Sequence, residues 1–421
     1  MKIIHVGLIY GSLKGGNPKH LRELSEALVR LGDDVTVFTT NAGKAKYLNK
    51  RSPEGQVRLS SEVINGIQVK RFKIAYNLHN FIFRKLPDIR GGYRLVNLLF
   101  NKSRKVLSSG PFVPQIMWHL LISRPDLVMV LNSWGSLSYF AYLTRKIIKF
   151  PLVIMPCLHT GCSWVEDPMI YRIMKSSDLV IAFTEFEKHY LIKNGVNENK
   201  IAVIGVGINP DDYQNANCQN LHSKYRADGE LVVLFVGRRE KDKGVETLTE
   251  AFELVWRHNK NIKLILAGNP SNNDKVFKDM IKGFDLELQK KIILIENFEE
   301  KEKSIIFASC DVFALPSKAD SFGIVFLEAW LHKKPVIACK DTAQSSFIND
   351  GIDGLLVEYG NKDNLAKAIL KLLENRDLRE SMGLAGREKV LKNYTWDVLA
   401  KKVREKYHDV VNRQNEFNHA N

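Results

Sequence analysis

The sequence predicts an α/β protein made of two doubly wound domains. Three observations carry that expectation. The N-terminus shows a strand, a glycine loop, a helix and a second strand in succession. The same pattern restarts near Leu231. The chain has 421 residues, enough for two to three domains at roughly 150 residues each.

The elements follow in order. Ile3 to Ile9 is an apolar run of strand length, and Gly11 to Pro18 is a glycine-containing loop. Leu21, Leu24, Leu28 and Leu31 recur at helical spacing with Arg22, Glu23, Glu26 and Arg30 between them, and Gly32 stops the helix. Val35, Val37 and Phe38 begin the next strand. A helical crossover between two strands implies that they run parallel. Leu127–Leu131, Leu152–Met155 and Leu179–Ala182 supply further strands of the first half. Gly205 to Asn220, rich in Gly, Asn and Asp, reads as the linker.

In the second half, Leu231 to Val236 is a strand and Gly237 to Gly244 a polar loop. Leu248, Ala251, Phe252 and Val255 then repeat at helical spacing. Strands are expected at Ile262–Ala267, Ile292–Ile295, Val312–Leu315 and Pro335–Ala338. Trp396, Leu399, Val403, Tyr407 and Val410 share one face of a terminal helix, and a frayed tail is expected from Asn412. The domain limits expected are 1–205, 206–393 and 394–421.

Composition narrows the function classes. Hydrophobic residues at 45% and charged residues at 26% exclude a disordered chain. Five cysteines, an odd number, argue against a disulfide framework and for a reducing compartment. The N-terminus lacks the apolar region and cleavage site of a signal peptide. No run reaches the roughly 18 apolar residues of a spanning helix. The longest apolar region, Leu127 to Leu158, is broken by Arg145, Lys146 and Lys149.

The net charge of +15 is concentrated. Lys70, Arg71, Lys73, Arg84, Lys85, Arg90, Arg94, Lys102, Arg104, Lys105 and Arg124 face a single acid, Asp88. Phe72, Tyr76, Phe81, Phe83, Tyr93, Phe100, Phe112 and Trp118 are interleaved. A basic and aromatic stretch over 70–124 suits an anionic membrane surface, and a solvated basic face over an ordinary core explains the charge equally well. Nucleic acid ranks below both, because no zinc-finger spacing or RNA-binding aromatic motif accompanies the charge.

Two segments can carry chemistry. Val236-Gly237-Arg238-Arg239-Glu240-Lys241-Asp242-Lys243-Gly244 joins a strand to a helix. Arg238 and Lys243 can converge on an anion beyond the strand's carboxyl end, where ligands bind in open α/β sheets. Taken alone, a solvated charged turn fits as well. The second segment is Pro316 to Ala329. A helix is expected to begin near Ser321, capped by Asp320 or Ser321, with the amides of Phe322, Gly323 and Ile324 as free donors. Eight residues separate Asp320 from Glu328, about two helical turns, so both can face one site. Glu328 interrupts an apolar stretch and needs a partner or water.

Together the two segments resemble a family-4 retaining glycosyltransferase of the GT-B fold, in the group 1 glycosyl transferases. Further matches are Tyr10…Gly15-Gly16…His20-Leu21, Val203-Ile204…Gly207-Ile208-Asn209-Pro210, Lys334-Pro335-Val336-Ile337-Ala338, Asp350-Gly351…Gly354-Leu355-Leu356-Val357 and Tyr394-Thr395-Trp396. Only about Lys46 to Arg124 lies outside the resemblance. The resemblance implies two Rossmann-like domains facing across a cleft, with a C-terminal helix returning toward the first. It implies a hexosyltransferase whose donor is a UDP- or GDP-sugar, with no other cofactor and no metal. Arg238 and Lys243 would hold the diphosphate, and Phe322, Gly323 and Ile324 would complete its cradle. Glu328 would take the ribose hydroxyls, and Asp320 the sugar hydroxyls. Gly16 would admit the donor, and His159, after a strand of the first domain, would meet the donor sugar. The acceptor expected is a lipid-linked glycan, glycolipid or polysaccharide precursor at the cytosolic membrane face. A soluble acceptor and a non-catalytic GT-B scaffold are the alternatives. The sequence departs from the family pattern at Asp320, where Glu is usual, at Val206, and at Ala343-Gln344 in place of Gly-Gly.

No G-x-G-x-x-G or GxxxxGK[ST] motif is present, and Cys157 and Cys162 lack a second pair for zinc.

Overall fold

The computed structural model describes residues 1–11, 16–49, 51–85, 107–108, 110–132, 135–159, 167–213, 229–270 and 274–419. The chain forms two compact units. One contains Met1–Gly207 together with the segment from Trp396 onward; the other contains Ile208–Thr395.

The first unit carries strands β1 (Lys2–Gly7), β2 (Asp34–Thr40), β3 (Ser61–Ile64), β4 (Ile67–Phe72), β5 (Leu127–Leu131), β6 (Leu152–Met155), β7 (Leu179–Ala182) and β8 (Ile201–Val203). Their order in the sheet is β3-β4-β2-β1-β5-β6-β7-β8. All described pairs are parallel except β3 with β4. Every residue of β5, β6 and β7 is buried, because helices cover both faces of a parallel sheet.

The hairpin β3–β4 lies in the stretch that sequence patterning left unassigned. Its turn is Asn65-Gly66, with φ of 50° and 81°, the left-handed pair that a two-residue hairpin demands. Asn-Gly between two short β-prone runs was the available signal.

Helix α1 (Gly16–Arg30) packs on β1 through Leu21, Leu24 and Leu28, each at most 1% exposed. Each such leucine is worth about 1.5–3 kcal/mol of burial. Beside the short helical stretch Tyr76–Asn80 and Phe81–Lys85, the described residues of this part include α2 (Gln115–Ser123), α3 (Ser136–Arg145), α4 (Pro168–Ser176) and α5 (Glu185–Lys193).

In the second unit, β9 (Leu231–Val236), β10 (Ile262–Ala267), β11 (Ile292–Ile295), β12 (Val312–Ala314), β13 (Val336–Cys339) and β14 (Gly354–Val357) form one parallel sheet. Their order is β11-β10-β9-β12-β13-β14, the doubly wound 3-2-1-4-5-6 arrangement. Its helices are α6 (Val245–His258), α7 (Asp274–Lys282), α8 (Leu286–Lys290), α9 (Glu300–Ala308), α10 (Ile324–Leu331), α11 (Lys362–Glu374) and α12 (Arg376–Asn393).

The last helix, α13 (Trp396–His419), belongs to the first unit. Its expected apolar face is the buried one: Trp396, Leu399, Val403, Tyr407 and Val410 are at most 4% exposed. Polar ties fix its register. Trp396 Nε1 donates to Glu23 Oε2 at 2.7 Å, and Arg404 Nε to Asp33 Oδ2 at 2.8 Å. The expectation of a frayed tail from Asn412 is corrected, since the helix continues to His419. Among the described residues, no helix is long and apolar enough to cross a membrane.

Candidate functional site

The reversal of strand order fixes where the second unit can bind a ligand. β9 and β12 are neighbours, yet the chain leaves them toward opposite sides of the sheet. The loops that follow these two strands therefore face each other at a topological switch point. They fall in the two segments singled out by sequence, Val236–Gly244 and Pro316–Ala329.

Their close approach depends on glycines, but not chiefly on Gly237. A Cβ on Gly244, which has φ +71°, would stand 2.2 Å from Pro316 O. A Cβ on Gly268 would stand 1.7 Å from Gly237 O. Gly237 itself has ordinary room, with its nearest atom at 3.4 Å. The tight contacts are thus made at Gly244, where one loop crosses the other, and at Gly268, where the loop after β10 passes β9.

The crossing brings Lys243 to Asp320. Lys243 Nζ donates to Asp320 Oδ1 at 2.7 Å and to Ala319 O at 2.8 Å, with its side chain 10% exposed. An ammonium has three donors, so one remains beyond these two bonds. Among the described residues, Asp320 Oδ2 is buried without a hydrogen-bond partner. Arg238 is open to solvent, with a side chain 68% exposed and Nη1 on Glu240 Oε1 at 2.5 Å. Arg239 beside it is structural: its guanidinium is buried and bonds Gly268 O at 2.7 Å and Glu296 Oε1 at 2.5 Å.

The helix after this loop starts later than expected. α10 begins at Ile324, and its N-cap is Gly323 with φ +93°; neither Asp320 nor Ser321 caps it. A Cβ at Gly323 would stand 2.9 Å from the Phe326 ring, which suits glycine to that position. Asp320 and Glu328 therefore do not lie on one helix: Asp320 is in the loop before α10 and Glu328 is within it. The amides of Phe322, Gly323 and Ile324 sit at the start of α10 with no acceptor among the described residues, as a helix N-terminus leaves them. The Phe322 ring is buried and stacks on Phe347 at 4.5 Å.

Glu328 is fully buried. Its Oε1 accepts from Tyr213 Oη at 2.8 Å and from Lys303 Nζ at 2.6 Å. Sequence reasoning foresaw that this acid needs a partner but did not find these two. They come from 115 and 25 residues away, and no local pattern announces them.

In the first unit the switch point lies between β1 and β5. A cavity of about 220 Å³ opens there, lined by Gly7, Leu8, Asn17, Leu21, Leu131 and Asn132. Gly16 is the first residue of α1, exposed, with nothing within 4 Å of a built Cβ. The loop before it, 12–15, lies outside the described residues. His159 follows β6 and is half-buried.

The segment before His159 is anchored by Glu187 of α5, which sequence reasoning missed. Glu187 Oε1 accepts from Leu158 N at 2.8 Å, and Oε2 from Phe183 N at 2.7 Å. Thr184-x-x-Glu187 has the capping-box pattern, and Thr184 does accept from Glu187 N at 3.1 Å. The Glu187 carboxylate instead reaches past its own helix cap. Burial pushes its pKa up to about 7, against the pull of the two amides.

The basic and aromatic stretch is corrected in part. Arg71 is buried and pairs with Glu62, so it is not available to a surface. Phe72, Tyr76, Phe83 and Phe112 belong to the core. Phe81 and Trp118 are exposed, at 48% and 65%. Residues 86–106, with Asp88, Arg90, Tyr93, Arg94, Phe100, Lys102, Arg104 and Lys105, lie outside the described residues, as do Cys162 and Cys218. Among the described residues, no three of His, Cys, Asp and Glu are grouped to hold a metal ion.

Comparison with known proteins gives the arrangement its family. The model of glycosyl transferases group 1 matches residues 219–389, and that of glycosyltransferase family 4 matches 14–212. The capsular polysaccharide biosynthesis glycosyltransferase CapM of Staphylococcus aureus is 28% identical over 54% of this chain and 60% of its own length. The D-inositol 3-phosphate glycosyltransferase of Corynebacterium diphtheriae is 27% identical over 57% and 58%. The matched part thus spans about three fifths of the length of these curated relatives. Among solved structures, Anabaena Alr3699/HepE in complex with UDP and glucose superimposes with a TM-score of 0.70 at 18% identity, covering 96% of this chain and 99% of that one. With both sheets, both family models and the GT-B neighbours in agreement, the chain belongs to the family-4, group 1 glycosyltransferases and has their GT-B fold.

Proposed function

We propose that the chain is a retaining hexosyltransferase that moves a sugar from a nucleoside diphosphate sugar to a hydroxyl. The observation that carries this reading is the paired Lys243–Asp320 at the β9/β12 switch point, with Asp320 in the loop leading to the amides of Phe322, Gly323 and Ile324, which have no acceptor among the described residues. Arg238 and Lys243 supply positive charge where the departing diphosphate gains negative charge. Two cations and a helix N-terminus can do this without a metal, so the proposed reaction proceeds in EDTA. Asp320, through its buried Oδ2, takes a sugar hydroxyl. Glu328 takes the ribose hydroxyls. Gly16 and His159 serve the donor from the first unit. The bond from the anomeric carbon to the phosphate oxygen breaks with its electron pair on the phosphate. The acceptor oxygen bonds the same face of the sugar, and its proton passes to the departing phosphate.

UDP is the favoured nucleotide, because HepE binds UDP and glucose on the same fold; GDP is the other candidate. A lipid-linked glycan or polysaccharide precursor is the favoured acceptor. CapM's role in capsular polysaccharide biosynthesis and the basic residues of 70–124 support it, with the protein held peripherally on an anionic cytosolic membrane face. The likeness to a D-inositol 3-phosphate glycosyltransferase favours a soluble acceptor as the second reading.

The test is transfer from UDP-glucose by Arg238→Ala. Its side chain is largely exposed, so folding should be unaffected while transfer is lost. Unchanged transfer would reject the site. Vesicle binding that survives neutralising Lys73, Arg84, Lys85 and Lys102 would reject the membrane reading.

A further inference from the structure

The acid expected to receive the nucleotide's ribose is closed off. The Glu328 side chain is 1% exposed. Its Oε1 accepts two hydrogen bonds, from Tyr213 and Lys303, and a carboxylate oxygen offers about two lone-pair positions. A ribose hydroxyl cannot add to that oxygen until one of the two donors leaves, and Oε2 is buried from the surface as well.

The two donors differ in kind. Lys303, on α9, is a cation with a side chain 13% exposed; it neutralises a buried carboxylate and would be costly to remove. Tyr213 presents a neutral hydroxyl, the same donor type as a ribose hydroxyl. Burial and the Glu328 charge push its pKa up, so the phenol remains a donor.

Tyr213 lies close to where the chain enters the second unit, and its carbonyl accepts from Ser304 Oγ at 3.5 Å. It ends the short 3-10 turn Pro210–Tyr213, the first element after the chain passes from one unit to the other at Gly207 and Ile208. Its ring stands edge-on to His332 at 5.9 Å. His332 is itself fixed, with Nδ1 on Glu328 O and Nε2 on Ser304 Oγ, both at 2.8 Å, and its ring stacked on Phe307. Lys303 is carried by α9 and His332 caps the end of α10, whereas the turn is the part joined to the crossover.

We infer that Tyr213 is a gate of the donor site. Its hydroxyl holds on Glu328 the hydrogen bond that a ribose hydroxyl takes, and entry of the nucleotide exchanges one for the other. The inference rests on the proposed role of Glu328. The exchange conserves the number of hydrogen bonds to the carboxylate, while Lys303 keeps its charge paired. Nucleotide occupancy is thereby tied to the position of the turn that follows the crossover.

A gate and a brace predict opposite signs. Removing the hydroxyl of a gate tightens nucleotide binding; removing that of a brace weakens it. The experiment measures Kd by calorimetry for whichever of UDP, GDP and ADP the wild type binds most tightly, and for its 2′,3′-dideoxy analogue. The proteins are wild type, Tyr213→Phe and Glu328→Gln. For Tyr213→Phe, the diphosphate should bind about fivefold more tightly, the worth of one hydrogen bond no longer broken, and the dideoxy analogue should be unchanged. Equal or weaker binding of the diphosphate by Tyr213→Phe would overturn the gate. If Glu328→Gln still loses its preference for the intact ribose in that case, the role of Glu328 stands without the gate. If wild type shows no such preference, the role of Glu328 falls, and the gate with it.

Discussion

Glu187 should make the first unit less stable as pH rises from about 4.5 to about 7. Its carboxyl is buried on α5 and serves two backbone amides, one of which holds the segment leading to His159. Burial raises its pKa from the usual 4.5 to about 7. A group that binds its proton more tightly when folded gives its full stabilisation below the unfolded value and loses it as pH rises through the folded value. At 1.36 kcal/mol per pH unit, the displacement is worth about 3 kcal/mol. Other groups titrate nearby with the opposite sign. His5 and His20 are buried and lowered to about 3, so their contribution is lost as pH falls below the usual 6.5. The difference between Glu187→Gln and wild type cancels them. That difference in unfolding free energy, measured in urea at about pH 4, 5, 6, 7 and 8, should move by about 3 kcal/mol in favour of the variant between pH 4.5 and 7. It should be flat on either side. A difference independent of pH would refute burial as the control on this carboxyl.

Other outcomes follow from close contacts and charges. Gly244→Ala places a Cβ 2.2 Å from Pro316 O at φ +71°, and should cost about 2–4 kcal/mol in urea unfolding while weakening donor binding. Gly207→Ala drives a methyl to 2.4 Å from the Trp396 ring, and should lower the melting temperature by several degrees through loosened docking of α13. Trp396→Phe keeps an aromatic ring but removes the indole donor to Glu23 together with part of the buried ring system, a loss of about 1–3 kcal/mol or more readable by thermal melting. Lys243→Met should reduce the transfer rate about 100- to 1000-fold if its cation faces the leaving phosphate, as a rate assay with UDP-glucose would show.

The strands were legible because parallel, doubly covered strands are unbroken apolar runs. Leu127–Leu131, Leu231–Val236 and Ile262–Ala267 need no context to be found. The hairpin at Asn65-Gly66 carried a turn signal, but its short flanking runs alternate only weakly and sit in a polar stretch. The start of α10 was misplaced for a different reason. Asp320 and Ser321 are good caps in general, yet the ammonium of Lys243, 77 residues away, claims Asp320. The same limit applies to Glu328. Its apolar surroundings marked it as an acid in need of partners, whereas the identity of Tyr213 and Lys303 is a product of tertiary packing. Arg239 is the converse case: the sequence offers two adjacent arginines, and only burial distinguishes the structural one from the exposed Arg238.

The central claim is that the β9/β12 switch point holds a nucleoside diphosphate sugar on Arg238, Lys243 and the start of α10. Its most direct test is thermal melting of wild type, Arg238→Ala and Lys243→Met with UDP-, GDP- and ADP-sugars in EDTA. The account predicts that one nucleotide sugar raises the wild-type melting temperature by mass action, and that both variants lose most of that rise. No rise with any of the three, or an equal rise in the variants, would contradict it.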